Sequence, residues 1–385
     1  MLKIKQLYIR GINGVDELYL SFNSGFNFIS GANGVGKTTI LDCIASSFNR
    51  HSKNVRTNVK HNYGFWNITV EKGNYSHFEE FIVDKFVENT NKKRFDNTIR
   101  SKEIINFSIN RTSHNKIYYG NQFDYIQSWF YKNYYAESRL TEKQYYNLKI
   151  AQKCFTMLDP NIYFSKVVVR KENDSTKNNR FRSVPTFADI YVESTHGEIP
   201  LEYLSSGYRS CLTILLGVIK QTEVTSSIND IHSYEGVILI DELDLHLHPE
   251  WQAKLIDILR WLVPNAQIIA TTHSPHIIQV ANPNEIIPLG YTNKGQVSIR
   301  NVASNEYGFQ GWSVEEILID VMGLRDTHTE VYHETLNAFD KSLSSFDSRN
   351  AKILYNQIDK MLHPENHLRK VLKIQMASLE RINND

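Results

Sequence analysis

The sequence predicts an α/β fold in which a mixed sheet is followed by a helical extension, and three observations predict it. A glycine-rich loop, Gly31–Thr38, lies between an apolar strand-like stretch and a stretch of helical character. Two further apolar runs, Val237–Ile240 and Gln267–Thr271, each end in polar residues and lead into helical patterns. That alternation builds a sheet covered by helices. From Trp312 onward the patterns are helical alone. The 385 residues, 41% of them hydrophobic, suit one large domain or two modest ones with a sizeable core. The expected division is an α/β domain over 1–305, its lobes separated by inserted strands and helices across about 50–200, and a helical extension over 311–385.

Taken in order, Leu2 and Ile4, then Leu7 and Ile9, alternate with polar residues and predict a strand. Leu18–Phe22 and Phe26–Ser30 predict two more, separated by the turn signals Gly11–Gly14 and Asn23–Gly25. A helix over about Lys37–Phe48 follows the glycine-rich loop. The Asn-, Tyr-, Phe- and Lys-rich stretch 50–135 predicts short strands at Phe65–Val70, Phe78–Asp84 and Ile104–Ile109 among polar loops. Thr141–Met157 reads as helix, and Ser165–Arg170 and Ala188–Glu193 as strands around a polar loop. A turn at Ser205–Gly207 precedes a helix from about Tyr208 to Lys220. Strand Gly236–Asp241, helix Trp251–Leu262, strand Gln267–Thr271 and a short helix Pro275–Val280 come next, closed by strands Glu285–Leu289 and Gln296–Asn301. Ser313-Val-Glu-Glu316 forms a capping box, with Trp312 and Ile317 placed as a hydrophobic staple. Helices over about His328–Leu343, Arg349–Leu362 and Pro364–Arg381 complete the chain.

The loop Gly31-Ala32-Asn33-Gly34-Val35-Gly36-Lys37-Thr38 fits G-x-x-x-x-G-K-[ST] in full, between a strand and a helix, the context that gives this motif its meaning. Its glycines let successive backbone N–H groups converge on a phosphate, and the helix N-terminus adds positive potential. Lys37 neutralises the β- and γ-phosphates of a bound nucleotide, and the hydroxyl of Thr38, followed by Thr39, is a hard oxygen ligand for Mg2+. The strand Val237–Ile240 ends in Asp241-Glu242. Asp241 then reaches the Mg2+ shell beside Thr38, and Glu242 polarises the attacking water. The strand Gln267–Thr271 leads to His273, placed to touch the γ-phosphate or that water; standing alone, such a histidine would more often be structural. An exposed Ser205-Ser206-Gly207 before an apolar helix is an anion site by its chemistry and, standing alone, an ordinary helix cap.

These motifs, with Leu243-Asp244-Leu-His246-Leu-His248-Pro249, stand in the order of phosphate loop, signature loop, acidic strand end, Asp-containing loop and switch histidine. The chain therefore resembles the ABC-type nucleotide-binding module of the SMC, RecF and OLD class over about residues 1–300, and within it is similar to the compact Septu and retron-associated defence ATPases of the PtuA type. The resemblance implies an α/β, ABC-type P-loop NTPase with a mixed sheet plus a C-terminal helical extension, acting as an Mg2+-dependent ATPase. It also implies that Ser205, Ser206 and Gly207 cap the γ-phosphate held by a second subunit, that Asp244 belongs to the dimer-facing loop, and that a homodimer or higher multiple forms around sandwiched ATP. By the same resemblance, ATP cycling would gate an HNH-type nuclease partner in antiphage defence. A RecF-like repair clamp and a nucleotide-sensing scaffold with little turnover remain alternatives. Ser206 replaces the usual first glycine and Tyr208 the usual glutamine of the signature, and the Q-loop residue is left open among Gln122, Gln127 and Asn110-Arg111.

Other classes are excluded or weakened. Residues 39–204 are accounted for by strands and short helices, without the long coiled coil and zinc-hook CxxC of chromosome-type members. Residues 274–385 contain no Asp-x-Asp of a Toprim nuclease, so no second metal centre for cutting nucleic acid is expected. The net charge of +1 excludes a uniformly basic nucleic-acid binder and leaves DNA contact to local clusters: Arg50, Lys53, Arg56 and Lys60; Lys92–Arg94; and Arg170–Arg182. Cys43, Cys154 and Cys211 form no CxxC pair, and no apolar run approaches the ~18 residues of a membrane span. A reduced, cytoplasmic, membrane-free protein is expected. In the tail, Ile317, Leu318, Val321, Ile353, Leu354, Ile358, Leu362, Leu368, Val371, Leu372 and Ile374 recur at helical spacing, for packing on the chain itself or for docking an effector.

Overall fold

A computed structural model of the chain describes residues 2–48, 55–85, 103–107, 122–169, 188–225, 230–303 and 305–382. The chain begins with β1 (Leu2–Ile12), β2 (Val15–Ser21), β3 (Phe26–Gly31) and α1 (Lys37–Phe48). Then come β4 (Tyr63–Lys72), β5 (Tyr75–Asp84), β6 (Ile104–Phe107), α2 (Gln122–Tyr135) and α3 (Glu142–Leu158). Strands β7 (Tyr163–Val169), β8 (Ala188–Ser194) and β9 (Gly197–Pro200) precede α4 (Ser206–Thr225), β10 (Val237–Ile240) and α5 (Pro249–Leu262). The α/β part closes with β11 (Gln267–Thr271), α6 (Pro275–Val280), β12 (Ile286–Tyr291), β13 (Val297–Ile299) and α7 (Val314–Glu316).

Six strands form the central sheet in the order β13-β12-β3-β11-β10-β6. All its pairings are parallel except β12 with β13. The sheet is buried on both faces, so its strands read as unbroken apolar runs, and the two-residue period assigns each side chain to one of two cores. Phe28, Ile238, Ile240, Ile268 and Ala270 enter a core shared with α3, α4 and α5. Ile29, Val237, Leu239, Ile269 and Leu289 enter the other, filled by α1 and by a four-stranded antiparallel sheet, β2-β1-β4-β5. A third sheet, β7-β8-β9, is antiparallel.

The phase change in the first strand has a structural cause. Leu2 and Ile4 are buried, then Leu7 and Ile9, and the register against β4 shifts between Ile4 and Gln6. Lys5 is therefore an extra residue in a β-bulge that turns the apolar set back toward the core. Next to this irregularity the side chain of Gln267, fully buried at the start of β11, donates to the Ile4 and Asn23 carbonyls and accepts from the Ile4 amide.

Several expectations need correction. Helix α2 occupies part of the stretch expected to hold only short strands and loops; Ile126 and Phe130 bury an i, i+4 stripe that the surrounding Tyr and Asn obscure. Helix α4 begins at Ser206 rather than Tyr208, because Ser205 already serves as its cap. Glu285 ends a 3₁₀ turn, and the strand proper is Ile286–Tyr291. The predicted ends Ser108–Ile109 and Arg170 lie outside the described residues. Cys43, Cys154 and Cys211 are buried, and burial pushes the Cys154 thiol up to about 12. Among the described residues no helix is long and apolar enough to cross a membrane.

The chain divides into two compact units, Met1–Gly323 and Leu324–Asp385. The capping box at Ser313 forms with both of its hydrogen bonds. Beyond it, the π-helical turn Ile317–Val321 packs Ile317 and Val321 against Ile278 and Phe309, with Trp312 alongside, inside the first unit. The second unit is a helical bundle of α8 (Glu330–Ser344), α9 (Ser348–Met361) and α10 (Leu368–Ile382). Its core holds Phe339, Ala351, Ile358, Leu372 and Met376. Ile353, Val371 and Ile374, expected on an apolar face, are exposed; the buried stripes of α9 and α10 are narrower than the apolar pattern.

Candidate nucleotide-binding site

The central sheet delivers the predicted motifs to one place. Strands β3, β10 and β11 are mutually parallel neighbours, so their carboxyl ends lie together, where α/β folds bind ligands. The loop Gly31–Gly36 joins β3 to α1. Gly31 has φ of +143°, and a Cβ there would meet the Leu289 carbonyl oxygen at 2.5 Å, so the loop can leave the sheet only with glycine. Gly34 and Gly36 also have positive φ.

Lys37 is 6% exposed, and its ammonium donates to the Gly31 and Ala32 carbonyls at 2.9 Å each, spanning the loop. Burial lowers its pKa to about 8; Glu242, Asp241 and Asp244 act in the opposite sense. Ala32, Asn33, Gly34 and Thr38 are exposed at the rim, whereas Val35 is buried. Thr39 is buried and accepts from the Asn13 side chain at 3.2 Å, so its hydroxyl ties the α1 N-terminus to the β1–β2 turn.

At the end of β10, Asp241 Oδ1 accepts from Thr38 Oγ1 at 3.3 Å and from Thr271 Oγ1 at 2.6 Å. Two cis oxygens around Mg2+ lie about 2.9 Å apart, and both groups are hard oxygen donors, so Thr38 and Asp241 fit this ion. The same Thr271 hydroxyl accepts from the Glu242 amide at 2.7 Å, and the Leu243 amide donates to the Thr271 carbonyl. Glu242 has φ of +48°, the left-handed conformation that turns the chain sharply after the strand.

Asp244 does not stand alone in its loop. Its Oδ1 accepts from Thr272 Oγ1 at 2.7 Å and from the His273 amide at 3.1 Å, so the loop after β10 fixes the backbone that carries His273. His273 is half-buried; burial first, then Lys37, lowers its pKa, which keeps the imidazole mostly neutral near pH 7.

The signature stretch sits at the α4 N-terminus. Ser205 and Ser206 are exposed, and Ser205 Oγ accepts from the Tyr208 amide at 3.2 Å, the bond of an N-cap. Gly207 is buried, and a Cβ on it would lie 2.6 Å from the His246 carbonyl oxygen and 3.2 Å from the Trp251 ring. This glycine therefore lets the helix end press onto the Asp244–His248 loop. Tyr208 is buried, packs edge-on against Trp251 and donates to the Phe155 carbonyl, a core role in place of the family's polar residue.

Sequence reasoning missed Thr271 and Thr272, the hydroxyls that bind the two acidic positions together; the only signal was two threonines directly before His273. Of the Q-loop candidates, Gln127 is half-buried within α2, the side chain of Gln122 is not described, and Asn110-Arg111 lies outside the described residues. So do Arg50, Lys53, Lys92–Arg94 and Arg170–Arg182. Lys60 pairs with Asp16 at 2.9 Å, so its charge in the first basic cluster is balanced by a residue distant in sequence.

Comparison with known proteins agrees with this geometry. A family model described as "AAA domain, putative AbiEii toxin, Type IV TA system" matches residues 26–279, the span from β3 through α6 that carries every motif of the site. The Septu protein PtuA of Bacillus thuringiensis is 41% identical over 411 aligned residues, covering 99% of this chain and 100% of that protein. The chain belongs to the Septu PtuA family. The Retron Ec83 probable ATPase of Escherichia coli is 26% identical over 233 residues, 57% of this chain and 40% of that protein. Among solved structures, an Smc head bound to the C-terminal winged-helix domain of ScpA matches with a TM-score of 0.52 at 17% identity, over 77% of this chain and 97% of that one. An Smc head with coiled coil and joint from Pyrococcus yayanosii matches with a TM-score of 0.50 at 11% identity, over 79% and 98%. These likenesses identify this PtuA-family chain's fold as an ABC-type P-loop NTPase.

Proposed function

We propose that this chain binds Mg2+-ATP at Gly31–Thr39 and hydrolyses it. The observation that supports the reading is the hydrogen-bonded set Thr38–Asp241–Thr271–Glu242 beside Lys37, at the carboxyl ends of β3, β10 and β11. Bound Mg2+ would supply charge neutralisation across the β- and γ-phosphates. The chain's own residues do the rest. Backbone amides of the loop and Lys37 hold the phosphates, Thr38 and Asp241 hold the ion, Glu242 orients water, and His273 contacts the γ-phosphate. Exposed Ser205 and Ser206 are then available to a second copy's nucleotide, which supports head-to-tail pairing with two ATP molecules between subunits.

The kinship with a protein named for the Septu system, and with a retron ATPase, supports a role in antiphage defence. In that role, ATP-driven pairing gates a separate nuclease of HNH type. DNA contact falls to the local basic loops; charge reversal of Lys53, Arg56 and Lys60 together should weaken a salt-dependent affinity, and unchanged binding removes that patch.

The test of hydrolysis is steady-state turnover by the wild type and Glu242→Gln. Loss of a water-polarising carboxylate lowers turnover by about a hundredfold or more with nucleotide affinity retained. Equal and slow turnover by both proteins would sink the enzymatic reading. Co-purification with the product of the neighbouring gene, with and without ATP, tests the gated partner.

A further inference from the structure

Outside the nucleotide site, the second unit brings together three side chains with the donor set of a metal centre. Asp326, His328 and His333 each present one ligand atom, and these atoms lie within 4.8 Å of one another. Asp326 Oδ2 is 2.5 Å from His333 Nε2, and Oδ1 is 3.8 Å from His328 Nδ1. Local structure explains the convergence. Asp326 accepts from the His328 amide at 2.9 Å, an Asx turn that folds the segment back on itself. Thr329 caps α8 by accepting from the Tyr332 amide, which places His333 in the first turn of that helix. The His328 ring stacks on Tyr332 with centroids 4.7 Å apart and stands edge-on to His333 at 5.8 Å.

The His333 Nε2 atom is shielded from water and lies against a carboxylate oxygen without hydrogen-bond geometry. A buried imidazole nitrogen and a carboxylate oxygen this close, with a second imidazole within reach of both, form a donor set that one cation can share. We propose that Asp326, His328 and His333 hold one borderline divalent transition-metal ion, of the zinc class, which ties the segment Leu324–Thr329 to the first turn of α8. Two imidazoles and a carboxylate suit zinc, whereas Mg2+ and Ca2+ prefer all-oxygen sets. Tetrahedral zinc, with bonds of about 2.0–2.1 Å, spaces its ligand atoms about 3.3 Å apart. The ligand atoms lie within 4.8 Å of one another, and all three side chains are at least partly exposed, so small side-chain rotations would bring them to that spacing. A fourth position stays open to water. None of the three residues belongs to the nucleotide site, so the two metal sites are tested separately.

The experiment uses the full chain, stripped with a chelator and re-equilibrated with Zn2+ or Co2+. The wild type should bind one equivalent of zinc more than Asp326→Asn and His333→Gln. Asparagine preserves the Asx turn, and each variant should bind the ion about a hundredfold more weakly, with ATP binding unchanged. Cobalt should give the visible d–d absorption of a low-coordinate site in the wild type alone. Equal zinc content in the wild type and both variants overturns the proposal. Should either variant fail to fold, absence of the cobalt bands from the wild type overturns it by itself.

Discussion

Replacing Thr271 with valine removes one hydroxyl and keeps the side chain's shape. That hydroxyl donates to Asp241 at 2.6 Å and accepts from the Glu242 amide at 2.7 Å, and Thr271 is fully buried at the end of β11. A hydrogen bond to a charged carboxylate contributes about 1.5–3 kcal/mol, and a buried amide left unsatisfied costs about 1–3 kcal/mol. Glu242 is only half-buried, so water can replace part of the loss, which leaves about 2–4 kcal/mol. If half of that is expressed as misplacement of the two carboxylates in the transition state, turnover falls about fivefold to thirtyfold. ATP affinity changes less, because the loop Gly31–Gly36 is untouched. Steady-state kinetics of the wild type, Thr271→Val and Thr271→Ser check this. Serine restores the hydroxyl and should return kcat to within about threefold. A folded valine variant with kcat within about twofold of the wild type would refute the positioning role.

Ser205→Ala should cost about 1 kcal/mol of stability through loss of the cap on α4, read as a small fall in Tm. A much larger loss of ATP-dependent pairing would report the contact in trans, and intact pairing would confine Ser205 to the cap. Gly207→Ala drives a methyl group against the His246 carbonyl and should destabilise by about 1–3 kcal/mol; thermal unfolding no different from the wild type would contradict that close approach. Burial holds Lys37 to about 8 in the free protein, and a bound triphosphate would raise it again. Above pH 8, binding must therefore take up a proton, so ATP affinity should decline by up to about tenfold per pH unit, with no contribution from this group below it. An affinity flat across that range removes Lys37 from the linkage.

The glycine-rich loop and the acidic strand end of the candidate site were legible because each is contiguous. Gly31–Thr38 must be one unbroken stretch for successive amides to meet one phosphate, and Val237–Glu242 reads as a buried strand with carboxylates at its end. Helix α2 was not legible, since its described buried residues, Ile126, Phe130, Tyr131 and Asn133, mix apolar with polar types among other tyrosines. The tail misled in the other direction. Ile353, Val371 and Ile374 have the spacing of a core and lie in solvent, because a small three-helix bundle covers only one stripe of each helix.

The sequence by itself determined the class of fold, the place of the glycine-rich loop between strand and helix, and the order of the chemical groups along the chain. Each of these is written in short-range spacing, which backbone geometry converts directly into a loop, a strand end or a helix start. Only the tertiary structure decided which distant residues answer one another: Thr271 to Asp241 and Glu242, Thr272 to Asp244, His246 to Gly207, and Asp16 to Lys60. Those pairings follow from parallel strand neighbours and helix ends meeting loops, and that juxtaposition comes from burying two cores on the two faces of one sheet.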